Sequence, residues 1–220
     1  MHHTILHFPQ INLQTRQAHK LRGYFADQFG QESDLFHNHD AATGKSIYRY
    51  PRIQYKIVRR HPMVVGIGEG AQLLVERFMR IRELEIEGRR YPTEQKNLKS
   101  QEVEIGATEA LVEYRFVTPW LALNQENYQR FVHLSPTERQ NKLQSILRNN
   151  IFSFLKSIPY FEQERVMVHF RQTTEQQTFF KNKAMQTFSG SFVTNMQLPD
   201  YIGLGKSTAR GFGTIERVSQ

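Results

Sequence analysis

Between a predicted first helix and a predicted basic strand, the chain carries Phe36-His37-Asn38-His39-Asp40, with Lys45, Tyr48 and Tyr50 close behind. No other stretch of the sequence gathers so many groups able to exchange protons. Histidine changes charge near neutrality, at an unperturbed pKa of about 6.5, so it can take or give a proton in mid-range pH. In an extended segment, residues two apart project to one face, which would set His37 beside His39. Such a pair suits general acid–base work, with Lys45 stabilising developing negative charge and a tyrosine hydroxyl orienting or protonating an oxygen. It also offers two zinc ligands, the third having to come from Asp40 or from a distant residue. A polar surface loop with no chemistry is the third reading. His61, His133 and His169 read as isolated, and Glu83, Glu85 and Glu87 alternate as one solvated strand face.

A second stretch, residues 201–218, reads YIGLGKSTARGFGTIERV, in which Gly203/Gly205 and Gly211/Gly213 bracket Lys206, Ser207, Thr208 and Arg210. Glycine reaches φ > 0 and lets another backbone come close, while the enclosed side chains donate to anions. The pattern predicts a loop that grips a phosphate backbone, or else a glycine-rich hairpin between edge strands. It is not a P-loop, because Asp200 stands where the first glycine is required, and it is not a dinucleotide fingerprint, because Thr208 stands in place of the third glycine.

The composition agrees with a phosphate-rich partner. Lys and Arg number 29 against 21 Asp and Glu, a formal charge of +8 over 220 residues. A basic balance attracts nucleic acid, and an anionic membrane surface equally. The sequence has no cysteine, which excludes disulfides and thiolate zinc sites. It shows no apolar run long enough to span a bilayer and no signal-like start, so a cytoplasmic location with no membrane association is expected.

The elements that must position these groups follow from periodicity. A short apolar strand ends at Pro9, and residues 13–29 carry Leu21, Tyr24, Phe25 and Phe29 at helical spacing, closed by Gly30. Residues 52–58 alternate Ile53, Tyr55 and Ile57 with Arg52, Gln54 and Lys56, predicting one buried and one basic face. A strand at 63–67 and a helix through Leu74, Phe78 and Ile81 follow, and Leu84 and Ile86 begin a fourth strand. This order, βαββαβ, is that of a ferredoxin-like domain. Residues 87–102 are polar and aperiodic and read as an excursion near a boundary, giving domains 1–102 and 103–220. In the second half, Val112, Tyr114 and Phe116 alternate as a strand. Ser135-Pro136-Thr137-Glu138 then opens a helix that runs to Pro159, followed by strands around Val168, Phe192 and Ile215.

The Gly-x-Gly-x5-Gly-x-Gly pattern near the C-terminal end resembles the glycine-rich loop of the CRISPR-associated RAMP proteins, in particular the repeat RNA endoribonucleases. The resemblance implies an α+β protein of two tandem ferredoxin-like (RRM-like) domains, partnered with CRISPR repeat RNA and requiring no cofactor or metal. A place in an effector complex and a homodimer are further implications, and the alternative within the superfamily is a non-catalytic RNA-binding subunit. His39 stands where many such enzymes carry a histidine, just after the first helix. Tyr24, His39 and Lys45 follow the order of a Tyr, His and Lys set, with His37 and Tyr48 as competing members; Tyr24 also lies on the apolar stripe of its helix, where it would serve packing. RNA contacts are expected at Arg52, Lys56, Gly203, Gly205, Lys206, Ser207, Arg210, Gly211 and Gly213, with the arginine rows at 59–60, 77–82 and 89–90 adding charge.

Overall fold

The computed structural model describes residues 1–38, 47, 49–160, 164–180 and 183–218. They form two compact units, one of Met1–Val103 with Ala209–Gly211 and one of Glu104–Thr208 with Phe212–Gln220.

In the first unit the elements are β1 (His2–His7), α1 (Ala18–Phe29), β2 (Ile53–Val58), β3 (His61–Ile67), α2 (Glu69–Arg77), β4 (Glu83–Ile86), β5 (Arg89–Pro92) and β6 (Asn97–Glu102). The main sheet has the order β2-β3-β1-β6 with every neighbour antiparallel, the ferredoxin-like arrangement. Leu21, Phe25 and Phe29 repeat along one side of α1 and bury against Leu6, Tyr55 and Val64 of the sheet. The helix α2 starts next to β3 because two glycines let backbones meet. A Cβ on Gly66 would lie 2.5 Å from the Gly70 carbonyl oxygen, and one on Gly70 would lie 2.4 Å from that of Arg52.

Three expectations change here. Leu84 and Ile86 are buried but belong to a separate hairpin, β4–β5, turned by Glu87 and Gly88 at positive φ. The fourth strand of the main sheet is β6, from within the stretch that reads as an excursion. It is an edge strand, so most of its side chains face solvent and only Leu98 packs on the core, while Ser100 shares a hydroxyl hydrogen bond with Thr4 at 2.8 Å. The predicted basic face of β2 is also corrected. Gln54 and Lys56 are 0% exposed, because this strand is covered on both faces.

The second unit contains β7 (Gly106–Phe116), α3 (Gln125–Phe131), α4 (Pro136–Lys156), β8 (Val168–Phe180), β9 (Lys183–Gln197) and β10 (Ile215–Arg217). Its sheet order, β10-β7-β9-β8, repeats that of the first unit with the strands in corresponding roles. The start of α4 follows its sequence signature: Ser135 Oγ accepts from the Glu138 N–H, and the Glu138 carboxylate accepts from the Ser135 N–H at 2.8 Å. Leu143, Leu147, Ile151 and Phe154 then bury one helix face. Where the first unit uses α2 as its second crossover, the second uses the glycine-rich stretch 198–214, of which Ala209–Gly211 belong to the first unit. Among the described residues, no helix is long and apolar enough to cross a membrane.

Candidate active site

The described residues just after α1 are held by contacts from α1, from β2 and from Arg49. Ser33 caps a short 3-10 turn, Asp34–Phe36, by accepting from the Leu35 N–H at 3.2 Å, and Leu35 and Phe36 are buried. Tyr55 donates its hydroxyl to the Phe36 carbonyl at 2.9 Å, and Arg22 on α1 donates to the His37 carbonyl. Asn38 sits at φ 53°, and its carbonyl accepts from the Ile47 N–H at 2.8 Å. Arg49 closes a neck here, donating to Asp34 at 2.9 Å and to Asn38 Oδ1 at 3.2 Å. His37 ends the 3-10 turn with Nδ1 buried, and a Cβ on Gly30 would stand 3.3 Å from that nitrogen. His39, Asp40, Lys45 and Tyr48 lie outside the described residues.

Two cations lie beside this neck. Gly211 seats its backbone on the start of α1, where an added Cβ would lie 2.7 Å from that of Ala18. Arg22 is one turn further along the same helix, and Arg210 precedes Gly211, so the Arg210 charge acts on Arg22. Arg22 is held below the usual arginine range, first by burial and then by the charge of Arg210, with Tyr55 acting in the opposite sense. Arg22 at the His37 backbone, with the like charge of Arg210 acting on it, is an environment that favours an anion. Neither Arg22 nor Arg49 was expected from the sequence. The available signal was a basic residue at the border of the apolar stripe of α1.

Of the other candidates, Tyr24 donates its hydroxyl to the Glu83 carbonyl at 2.6 Å, and burial raises its pKa, with Glu83 and Glu85 adding to the shift. It packs against the core as well. Lys56 is fully buried, and burial lowers its amine to about 7. Arg52 lies half-buried beside Gly68, its pKa lowered chiefly by burial and raised in part by Glu69. Lys206 is exposed, Arg210 is half-buried, and Ser207 adopts φ 56°.

The glycines of the C-terminal stretch approach protein atoms. Gly205 (φ 96°) lies against Trp120, and Gly213 (φ 62°) would place a Cβ 1.9 Å from the Leu204 carbonyl oxygen. Gly203 bridges Thr214, and Leu204 N–H donates to the Gly213 carbonyl at 2.8 Å, so the stretch is a hairpin closed on itself. The arginine rows are likewise partly answered within the protein. Arg77 and Arg80 both pair with Glu32, whose carboxyl is held below the usual range first by Arg80, and Arg90 reaches Glu83 and Glu85. Nor is His61 isolated: it stands edge-on to His7 at 5.8 Å, and His7 is lowered by burial and then by His61.

Two successive sheets of the same ferredoxin-like order, with an anion-favouring neck in the first and a glycine-rich crossover in the second, define a tandem ferredoxin-like protein of the RAMP type. The sequence families described as the Cas6b N-terminal domain and the Cas6b C-terminal domain match residues 2–104 and 106–218, and the chain belongs to the Cas6b family. A crystal structure of Cas6b is similar to it at 33% identity and a TM-score of 0.91, over 99% of both chains. That of a CRISPR RNA processing endoribonuclease Cas6b is similar at 31% identity and a TM-score of 0.78, over 99% of this chain and 100% of the other. An uncharacterized protein of Methanocaldococcus jannaschii is 30% identical over 145 residues, 66% of this chain and 99% of the relative.

Proposed function

We propose that this chain is a metal-independent endoribonuclease that cuts CRISPR precursor RNA within its repeats. The observation that carries this reading is the match to Cas6b along both halves, together with the likeness over the full chain to a CRISPR RNA processing endoribonuclease. In the reaction, a ribose 2′-oxygen attacks the adjacent phosphorus and the bond to the 5′-oxygen breaks. The 2′-hydroxyl proton passes to a base, and the departing oxygen takes a proton from an acid. The products end in a 2′,3′-cyclic phosphate and a 5′-hydroxyl.

His39 is the first candidate for proton transfer and His37 the second, with Tyr48 as a phenolic donor and Lys45 stabilising phosphorane charge. Tyr24 would have to leave its bond to Glu83 to take part, which favours a packing role for it. The cations Arg22 and Arg210 add positive charge at the neck that presents this segment, and Arg22 positions it through the His37 carbonyl. Lys206 is the exposed side chain of the expected RNA contacts and Ser207, Arg210 and Arg52 are half-exposed, whereas Lys56, fully buried, is removed from that set.

The test is incubation of labelled repeat-containing RNA in excess chelator with identification of the product ends. A positioned acid–base group is worth about 10²–10⁴-fold in rate, so His39→Ala is expected to slow cleavage at least ~100-fold while leaving affinity within a few-fold. Arg22→Ala is expected to lower the rate more than Arg22→Lys, and to flatten the salt dependence of binding by about 0.7 in log–log slope if it touches one phosphate of a single strand. A strict requirement for added divalent metal would transfer His37, His39 and Asp40 to the ligand reading. Binding without cutting, unchanged in His39→Ala, would leave a non-catalytic RNA-binding subunit.

A further inference from the structure

The second unit holds a cavity of about 450 Å³ that the cleavage chemistry does not use. Its walls come from two places. The register of the long hairpin sets Gln177 of β8 directly opposite Gln186 of β9, and the two-residue period puts Glu175 and Phe188 on the same face. The helix α3 packs on that face, where Tyr128 donates its hydroxyl to the Glu175 carboxylate and Phe131 meets Phe188 edge-on at 5.6 Å. Beside these contacts the cavity is lined by Tyr128, Gln177 and Gln186, by Asn124, the cap of α3, with Gln125, by the buried Leu121 and Leu123, and by Phe180, Ala184 and Met185 of the hairpin.

The chemistry of this lining is selective. Among the described residues, none of the side chains facing the cavity is ionisable except the Tyr128 phenol, whose pKa is raised first by its hydrogen bond to Glu175. An anionic ligand finds no counter-charge in the lining, and the nearby Glu175 carboxylate is engaged by the Tyr128 hydroxyl. Two adjacent primary amides each present one acceptor and two donors, beside an aromatic ring and an apolar floor. That combination fits a neutral, planar heterocycle with donors and acceptors along its edge. Unpaired RNA bases are recognised in this way, splayed onto aromatic rings and hydrogen-bonded along their edges, and a glutamine amide pairs with the adjacent donor and acceptor of adenine. The volume lies within the range of small-ligand sites.

We propose that this cavity receives a single unpaired purine base of bound RNA, adenine in preference, with Gln177 and Gln186 reading its edge and Tyr128 stacking on its face. The proposal takes its RNA partner from the function proposed above, and the experiment separates the two. The full-length protein is titrated with three fluorescently labelled hexaribonucleotides: uridine with one central adenosine (the adenosine hexamer), uridine throughout, and uridine with a central abasic ribose. Wild type is expected to bind the adenosine hexamer about tenfold more tightly than the other two, against uridine through the amide pairing with adenine and against the abasic ribose through the stack as well. The double variant Gln177→Leu/Gln186→Leu keeps side-chain bulk and removes both amides; it is expected to bind the adenosine and uridine hexamers alike, the stack on Tyr128 being retained. Tyr128→Phe keeps the ring and is expected to retain most of the preference.

Thermal melts of each variant separate misfolding from loss of recognition, since Gln177 is exposed and Gln186 half-exposed. Equal binding of the three hexamers by wild type overturns the proposal, as does a double variant that keeps the adenosine preference. Variants that alter only self-association would hand the cavity to a protein partner and overturn it equally. A wild type that shows the preference but never cuts repeat RNA supports the pocket while removing the processing function.

Discussion

The two units share a sheet order and differ in what makes the second crossover. In the first, α2 satisfies its own backbone and docks through Gly66 and Gly70. In the second, residues 198–214 have no long helix, so their polar backbone must find partners elsewhere. They find them within the unit: Lys206 N–H donates to Leu121, Gly213 N–H to Pro119 and Ile215 N–H to Ile202. The glycines that resemble a ligand grip are, by contact, the joints of this crossover. The difference teaches that a glycine pattern can mark a family through its architecture. The RNA-facing groups of the same stretch would then be its side chains, Lys206, Ser207 and Arg210.

The sharpest way to break this comparison is to fill a joint. Gly213→Val combines a left-handed backbone with a Cβ 1.9 Å from the Leu204 oxygen, and is expected to cost the second unit about 3–5 kcal/mol. Trp120, the single tryptophan, is buried in that unit and reports its unfolding by fluorescence. By contrast Gly88, at φ 78° with open space around it, is expected to lose only ~1 kcal/mol as Gly88→Ala. If Gly213→Val melted like wild type but lost RNA affinity, the stretch would be a ligand grip after all.

A second contrast concerns buried polar groups. In the second unit Tyr114 donates its hydroxyl to the Leu198 carbonyl and accepts from the Leu198 N–H, and Trp120 donates to Asn150, all without an ionised partner. The first unit buries Lys56, whose amine falls from 10.5 to about 7. Between those values the unfolded chain holds the proton more tightly than the folded one, so stability should rise with pH across that window. Conversely, this contribution is fully present above about 10.5 and is lost as pH falls toward 7. Urea midpoints at pH 7, 8 and 9, followed by circular dichroism, should rise in wild type and lose that slope in Lys56→Met. A slope unchanged in the variant would assign it to another group.

The smallest effect tests local against tertiary definition of a helix. The start of α4 is capped by its own sequence, and Ser135→Ala is expected to cost ~1 kcal/mol by Trp120 fluorescence. The start of α2 has no side-chain cap, Gly68 standing there at φ 56°. A loss well under 0.5 kcal/mol for Ser135→Ala, below the usual range for caps, would mean that packing of Leu147 and Ile151 alone defines α4.

Local chemistry and periodicity made much of this protein legible in its sequence. The stripe of Leu21, Phe25 and Phe29 announces α1, the capping box announces α4, and the alternation at Val112, Tyr114 and Phe116 announces β7, because burial of one face imposes its period on the residues. The cluster around His37 and His39 was visible because few other residue types exchange protons near neutrality. Tertiary structure alone decided the rest. The strand β6 carries one core residue, so its pairing with β1 leaves almost no hydrophobic period. Lys56 looks like a solvated cation until the second face of β2 is covered. The charge of Arg210 acts on Arg22, 188 positions away in the chain, because Gly211 has no side chain to hold it away from Ala18. Spacing along a sequence encodes which side chains share a face of one element, and it carries no record of which distant backbone will come to rest against that face.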